Sequence, residues 1–174
     1  MRTTGLGLVL LIALSASGQS SKILDIKEFV KRTDSDIGLR KTQSLDYQHP
    51  IFDSIKIDNG NIVPLFDANG LRKVTLFNIG EGIKEEWRFY YNTGTLIYFD
   101  HSIIEYKKIT TLTYQQGQTI QGEKFFLDNR EIIGCETMQN SSWVDKKLTA
   151  DEKEKLNRDI FRISDELKRS LRNN

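Results

Sequence analysis

Two stretches of this chain repeat each other without a gap, and that repetition limits what the chain can fold into. Laying Phe89 on Phe125, an offset of 36 residues (125 − 89), aligns Tyr90 with Phe126, Tyr91 with Leu127, Asn92 with Asp128, Leu96 with Ile132 and Ile97 with Ile133. Each copy reads as a strand of large side chains, a polar turn (Asn92-Thr93-Gly94, then Asp128-Asn129-Arg130) and a second aliphatic strand. A lone hairpin is marginal in water, so a second one beside it supplies the burial that each needs. Arg130 stands where the first copy has Gly94, so the two turns are expected to differ in type.

Successive strand residues point to opposite faces of a sheet. Trp87, Phe89 and Tyr91 therefore share one face, the expected core, while Arg88 and Tyr90 share the other. Tyr90, Tyr98 and Arg88 are the candidate binding surface: an exposed aromatic strip on the outer face suited to an extended peptide, a glycan or a partner strand.

The strand pattern extends from Ile55 to about Thr137. Turn signals at Asp58-Asn59-Gly60, Asn69-Gly70 and Gly80-Glu81-Gly82 separate short apolar runs, the spacing of an antiparallel meander, sandwich or small barrel. Pro64 donates nothing to a ladder and is expected at an edge, a bulge or a strand start. The stretch from Asp34 to Ser54 is polar and reads as loop with one short strand near Leu45 to Tyr47. Helical spacing flanks the strands on both sides. Ile23, Ile26, Phe29 and Val30 predict a short helix over 20–33; Leu156, Ile160, Ile163, Leu167 and Leu171 predict a longer one over 149–172, opened by a Thr149–Glu152 capping box. The expected fold is α+β: an antiparallel meander of about five to seven strands packed against the C-terminal helix, with the hairpin region at 55–137.

Ahead of this single domain, 19–174, residues 1–18 read as a signal peptide. Arg2, an apolar run from Gly5 to Leu14 and the small residues Ser15 to Gly18 follow in the order that directs export, with cleavage after Ser17 or Gly18. The apolar run is about ten residues, half of a membrane span, so a secreted or periplasmic protein without a span after cleavage is expected. Losing Arg2 from 25 basic residues leaves 24 against 24 acidic ones, a balance that excludes an electrostatic case for nucleic acid. Cys135 is the single cysteine, so no intrachain disulfide is possible; a buried thiol is expected.

Chemistry-bearing residues are sparse. The histidines are His49 and His101, and Asp100-His101-Ser102 carries the letters of a hydrolase triad, but alternation puts Asp100 and Ser102 on the face opposite His101. Asp53 with Asp58, and Glu85 with Glu86, are read as solvated turn carboxylates; no metal-ligand spacing or dinucleotide fingerprint is present. No catalytic, metal or cofactor site is expected.

The stretches "EEWRFYYNTGTLIYF" and "QGEKFFLDNREIIG" resemble the hairpins of MORN-type repeat proteins, of the general form Gly-x-Trp-x-Tyr-Tyr-x-x-Gly-x-Leu. They are also similar to small exported bacterial proteins carrying two YYF-turn-GKLI hairpins, over roughly residues 58–135. In such families the glycine and aromatics shape the hairpin, and the resemblance implies no catalytic residue. Together these readings lead to a monomeric, non-enzymatic exported module that binds a protein, peptide or glycan. A hydrolase using His49 or His101, or a structural cell-envelope subunit, are the alternatives.

Overall fold

The computed structural model describes residues 5–41, 45–46, 61–80, 82–106 and 117–172. The order is α1 (Gly5–Ser35), β1 (Arg40–Lys41), β2 (Leu45–Asp46), β3 (Asn61–Asp67), β4 (Gly70–Ile79), β5 (Ile83–Asn92), β6 (Thr95–Glu105), β7 (Gln118–Asp128), β8 (Glu131–Gln139), β9 (Ser142–Asp145) and α2 (Ala150–Arg172). From β3 to β9 each strand pairs antiparallel with its neighbour in sequence, so the sheet is a meander. Two-residue pieces β1 and β2 finish one edge. They pair with Leu65 and Phe66, and with Asn61 and Ile62, and Pro64 sits between the two sets on this outer strand, as expected for a residue without a donor. The strands extend past the expected limit at residue 137, because a tight turn at Asn140–Ser141 adds β9 before the helix begins.

Three hairpins share one construction, although in the sequence the third, around FDANGLRKV, shares only the turn-then-aliphatic half of the repeat. In each, the second strand carries an extra residue just after the turn: Arg72 between Leu71 and Lys73, Ile97 between Leu96 and Tyr98, Ile133 between Ile132 and Gly134. Asp67, Asn92 and Asp128 are the equivalent last residues of the first strands. Such bulges raise local twist and re-aim side chains. All three bulge residues lie along α1: Ile97 and Ile133 pack against its apolar cluster, and the Arg72 guanidinium lies 5.6 Å from the Phe29 ring.

The two repeated turns are of one type, contrary to the expectation from Arg130. Thr93 and Gly94 have φ of 47° and 79°, Asn129 and Arg130 have 49° and 65°, and the β8–β9 turn follows suit with Asn140 at 49° and Ser141 at 63°. Positive φ at both centres is the hairpin geometry whose twist matches the strands. Arg130 tolerates it because its guanidinium reaches the Asp165 carboxylate at 2.9 Å and lies over the Phe161 ring at 4.6 Å. Ser141 has no such compensation beyond a 3.4 Å contact from Gln118. Ser141→Gly is therefore expected to stabilise the protein by about 0.5–1 kcal/mol, since glycine takes φ > 0 without strain. Urea denaturation checks it; an unchanged or lowered midpoint contradicts the turn assignment.

Both faces of the sheet are covered. On one, α2 lays Ile160, Phe161, Ile163 and Leu167 on Val74, Leu76, Phe89, Phe99, Phe125 and Leu127, all buried. Ser164 is fully buried here, its hydroxyl 3.1 Å from that of Tyr91. The capping box forms: the Glu152 carboxylate accepts from the Thr149 amide at 2.8 Å, and the Glu152 amide donates to Thr149 Oγ1 at 3.3 Å. These bonds hold the Glu152 carboxyl below its usual range.

The N-terminal helix is longer than the expected 20–33, and it covers the second face. Its described contacts with the sheet run from Gln19 and Lys22, on Ile133 and Asp128 near β8, to Asp34, on Lys73 and Tyr90. Fifteen helical residues rise roughly 22 Å, and four strand spacings from β8 to β4 span about 19 Å, so α1 lies across the strands. A Cβ on Gly134 would come within 2.7 Å of Ile23 Cδ1, so glycine there allows the close approach.

The same helices protect the one long free edge. β9 pairs only with Glu136–Gln139, leaving Glu131–Cys135 of β8 beyond it. The Ile132 amide donates to Asn157 of α2 at 2.9 Å, Gln19 of α1 donates to the Ile133 carbonyl, and the Lys146 amide donates to the Cys135 carbonyl at 2.8 Å. Occupied edge groups offer no template to another strand. Cys135 is buried behind this edge, and burial pushes its thiol up to about 11.

Candidate functional site

The expected aromatic strip is on the predicted face, but it is not a surface. Tyr90 is 0% and Tyr98 4% exposed, packed with Phe126 and Ile26 under α1. The physical reason is that Ile23, Ile26, Phe29 and Val30 need an apolar seat, and phenols serve once their hydroxyls have partners. Tyr90 donates to Asp34 at 2.8 Å, and Tyr98 bonds Asp100. Burial drives both phenols far above their usual range.

Beside them a row of charge crosses the sheet. Arg88, Asp100, Lys124 and Glu136 occupy consecutive register positions on β5, β6, β7 and β8. Arg88 Nε meets Asp100 Oδ1 at 2.8 Å, with Glu86 3.7 Å away. Burial pushes the Asp100 carboxyl up, and the Arg88 guanidinium opposes that shift. The row repeats with the hairpins: Lys124 is Arg88 plus 36, and Glu136 is Asp100 plus 36.

In the second copy the pair is longer and shared. Lys124 Nζ is 3.9 Å from Glu136 and instead sits 3.7 Å above the Trp143 ring, while Lys27 of α1 holds Glu136. Gly122 stands where the first copy has Glu86, and Gly134 where it has Tyr98. A Cβ on Gly122 would come 2.7 Å from Trp143 Cη2 and 3.0 Å from the His101 carbonyl, so only glycine lets the indole lie across β7. A cavity of about 600 Å³ lies between α1 and the β6–β9 part of the sheet, with Lys27, Lys31 and Asp34 on the helix side. Tyr98, Lys124, Phe126 and Trp143 line the sheet side. A second cavity of about 450 Å³, at the β4–β5 end, is lined by Phe77, Ile79, Ile83 and Tyr106; its one cation, Lys84, is committed to Glu86 at 2.8 Å.

His101 lies on the α2 face of the sheet, stacked on Trp87 with centroids 5.2 Å apart and its Nε2 2.7 Å from Glu85 Oε1. Asp100 faces the other way into the charge row, so the triad letters are divided by the sheet as alternation requires. Glu85 and Glu86 are split likewise, Glu85 on His101 and Glu86 on Lys84. His49, Asp53 and Asp58 lie outside the described residues. Among the described residues no group of three or more His, Cys, Asp or Glu side chains converges as a metal site, and no helix is long and apolar enough to cross a membrane.

No family model, curated protein or solved structure matches this chain.

Proposed function

We propose that this chain is an exported, non-enzymatic binding module that takes its ligand on the α1 side of the sheet. The observation that carries the reading is the contrast between the two faces. Under α2 the apolar side chains close into a continuous core with a smaller cavity of about 330 Å³ at its rim, beside the β3–β4 and β5–β6 turns, whereas under α1 a cavity of about 600 Å³ lies against the middle of the sheet, with charged and aromatic groups together. A concave site with an apolar wall and a few convergent polar groups is the usual form of a ligand pocket. The MORN-like hairpins fit this role as a scaffold whose side chains shape a site without reacting.

One preparation tests export, ligand side and chemistry together. Intact mass of the protein recovered outside the cytoplasm is expected to lack residues through Ser17 or Gly18; a chain still starting at Met1 contradicts the leader. Amide shifts in a ligand-fragment screen are expected to cluster at Lys27, Lys31, Lys124 and Trp143. Ester or peptide hydrolysis that disappears in His101→Ala would overturn the reading in favour of a hydrolase.

A further inference from the structure

Resting on the α1 side as the ligand side, we propose that the cavity between α1 and β7–β9 binds an organic anion with a flat apolar body. Lys31 and Lys124 take the anionic group, and Phe126, Tyr98, Val30 and Trp143 take the body. The argument for an anion is the unequal state of the charges. Both carboxylates of the cavity are occupied: Glu136 by Lys27, and Asp34 by Lys73 at 2.7 Å and the Tyr90 hydroxyl at 2.8 Å. Among the described residues Lys31 forms no ion pair, and Lys124 has its nearest carboxylate 3.9 Å away. Lys27, Lys31 and Lys124 thus face Glu136 and an Asp34 already held by Lys73, so positive charge is in excess in the cavity. Burial lowers the Lys124 ammonium below the ordinary lysine range, as expected of a cation short of partners.

The repeat supplies an internal comparison. At the equivalent place in the first hairpin, the cation is an arginine locked on its own carboxylate at 2.8 Å, and a glutamate stands where Gly122 admits the indole. The second hairpin thus frees a lysine and makes room for an indole at the same spot. Lysine on a four-carbon stem is a movable point charge, whereas arginine is a fixed fork. An entering anion draws Lys124 off the ring, and the indole face becomes available to the ligand's body. A volume of about 600 Å³ accommodates a two- or three-ring acid rather than a folded partner.

The test uses two fluorescent probes with the same body, 1-anilinonaphthalene-8-sulfonate and the uncharged N-phenyl-1-naphthylamine, titrated into the exported protein and its variants. The sulfonate is expected to saturate one site and to bind about tenfold or more tightly than the neutral probe. Lys31→Gln with Lys124→Gln is expected to remove that advantage and Lys124→Arg to retain part of it. Trp143→Ala should weaken both probes, and so should Val30→Trp, which fills the cavity from the helix if the indole deletion does not fold. Ile83→Asp, in the other cavity, should change neither. Equal binding of both probes, lost in the cavity variants but indifferent to the lysines, overturns the anion and leaves the ligand side standing. Failure of the sulfonate to bind overturns the anion as well. Binding that only Ile83→Asp abolishes overturns both the anion and the site under α1, placing the probe in the β4–β5 cavity instead.

Discussion

Ile163→Asp is expected to abolish the cooperative unfolding transition. Ile163 is 6% exposed and belongs to the cluster that α2 shares with Phe89, Phe99 and Phe125. Losing a buried aliphatic of this size costs about 2–5 kcal/mol. An aspartate in its place must in addition be desolvated or bind a proton. Against roughly 5–15 kcal/mol for a whole domain, the sum is disabling. Lys155→Asp, on the exposed face of α2, is the matched control and is expected to stay within about 0.5 kcal/mol of the parent. Chemical denaturation with sedimentation reads both. A folded Ile163→Asp chain released from a wild-type oligomer would mean that the stripe serves a second chain instead of the sheet.

Arg88→Leu is the second large effect, and its signature is in pH. Asp100 is 1% exposed, and its nearest cation is removed. Stranding one member of a buried pair costs about 3–5 kcal/mol at neutral pH. Burial already holds the Asp100 carboxyl above its usual range, and without Arg88 it rises further. A carboxyl whose folded pKa exceeds its unfolded one binds its proton more tightly in the native state. Stability is therefore greatest below the ordinary aspartate range and falls as pH climbs from there towards the folded value. The variant should be closest to wild type at or below about pH 4 (the unfolded aspartate pKa) and weakest at neutral pH. Arg88→Leu with Asp100→Leu should recover most of the loss, because no charge is stranded. A deficit that does not change between the two pH values contradicts a buried, ionised Asp100.

What the sequence made legible is local. Period-two alternation placed Phe89 and Tyr91 in the core and divided Asp100 from His101 correctly, because strand geometry leaves no choice. The Thr149–Glu152 box and the leucine–isoleucine stripe located α2 for the same reason, although Phe161 and Ser164, also buried there, fell outside the apolar spacing. The misreading of Tyr90 and Tyr98 has a different origin. A tyrosine on the outer face looks exposed unless the element that covers it is known, and Asp34, which satisfies Tyr90, is 56 residues away. The third hairpin shows in the sequence only as a weaker echo of the repeat, the turn-then-aliphatic stretch FDANGLRKV, because its bulge position holds Arg72 where the others hold isoleucine, and because bulges depend on register, which a string of letters does not carry. The cavity residues left a trace that went unused: the 36-residue offset that aligns the aromatics also aligns Arg88 with Lys124 and Glu86 with Gly122. Lys27 and Lys31 left none, since they join the site only through the docking of α1.

That docking is the point on which the fold, the cavity and the proposed ligand side all depend, and amide hydrogen exchange measures it directly. With α1 seated on Tyr90, Tyr98 and Phe126, the amides of residues 23–34 should exchange only through opening of the domain, with protection approaching that of β5 and β6. Ile26→Asp should release the helix and collapse its protection while β5 and β6 remain protected through their contact with α2. Wild-type amides in 23–34 that exchange as fast as an isolated peptide would contradict the account, because the tyrosine face would then be open and the cavity would have no helix wall.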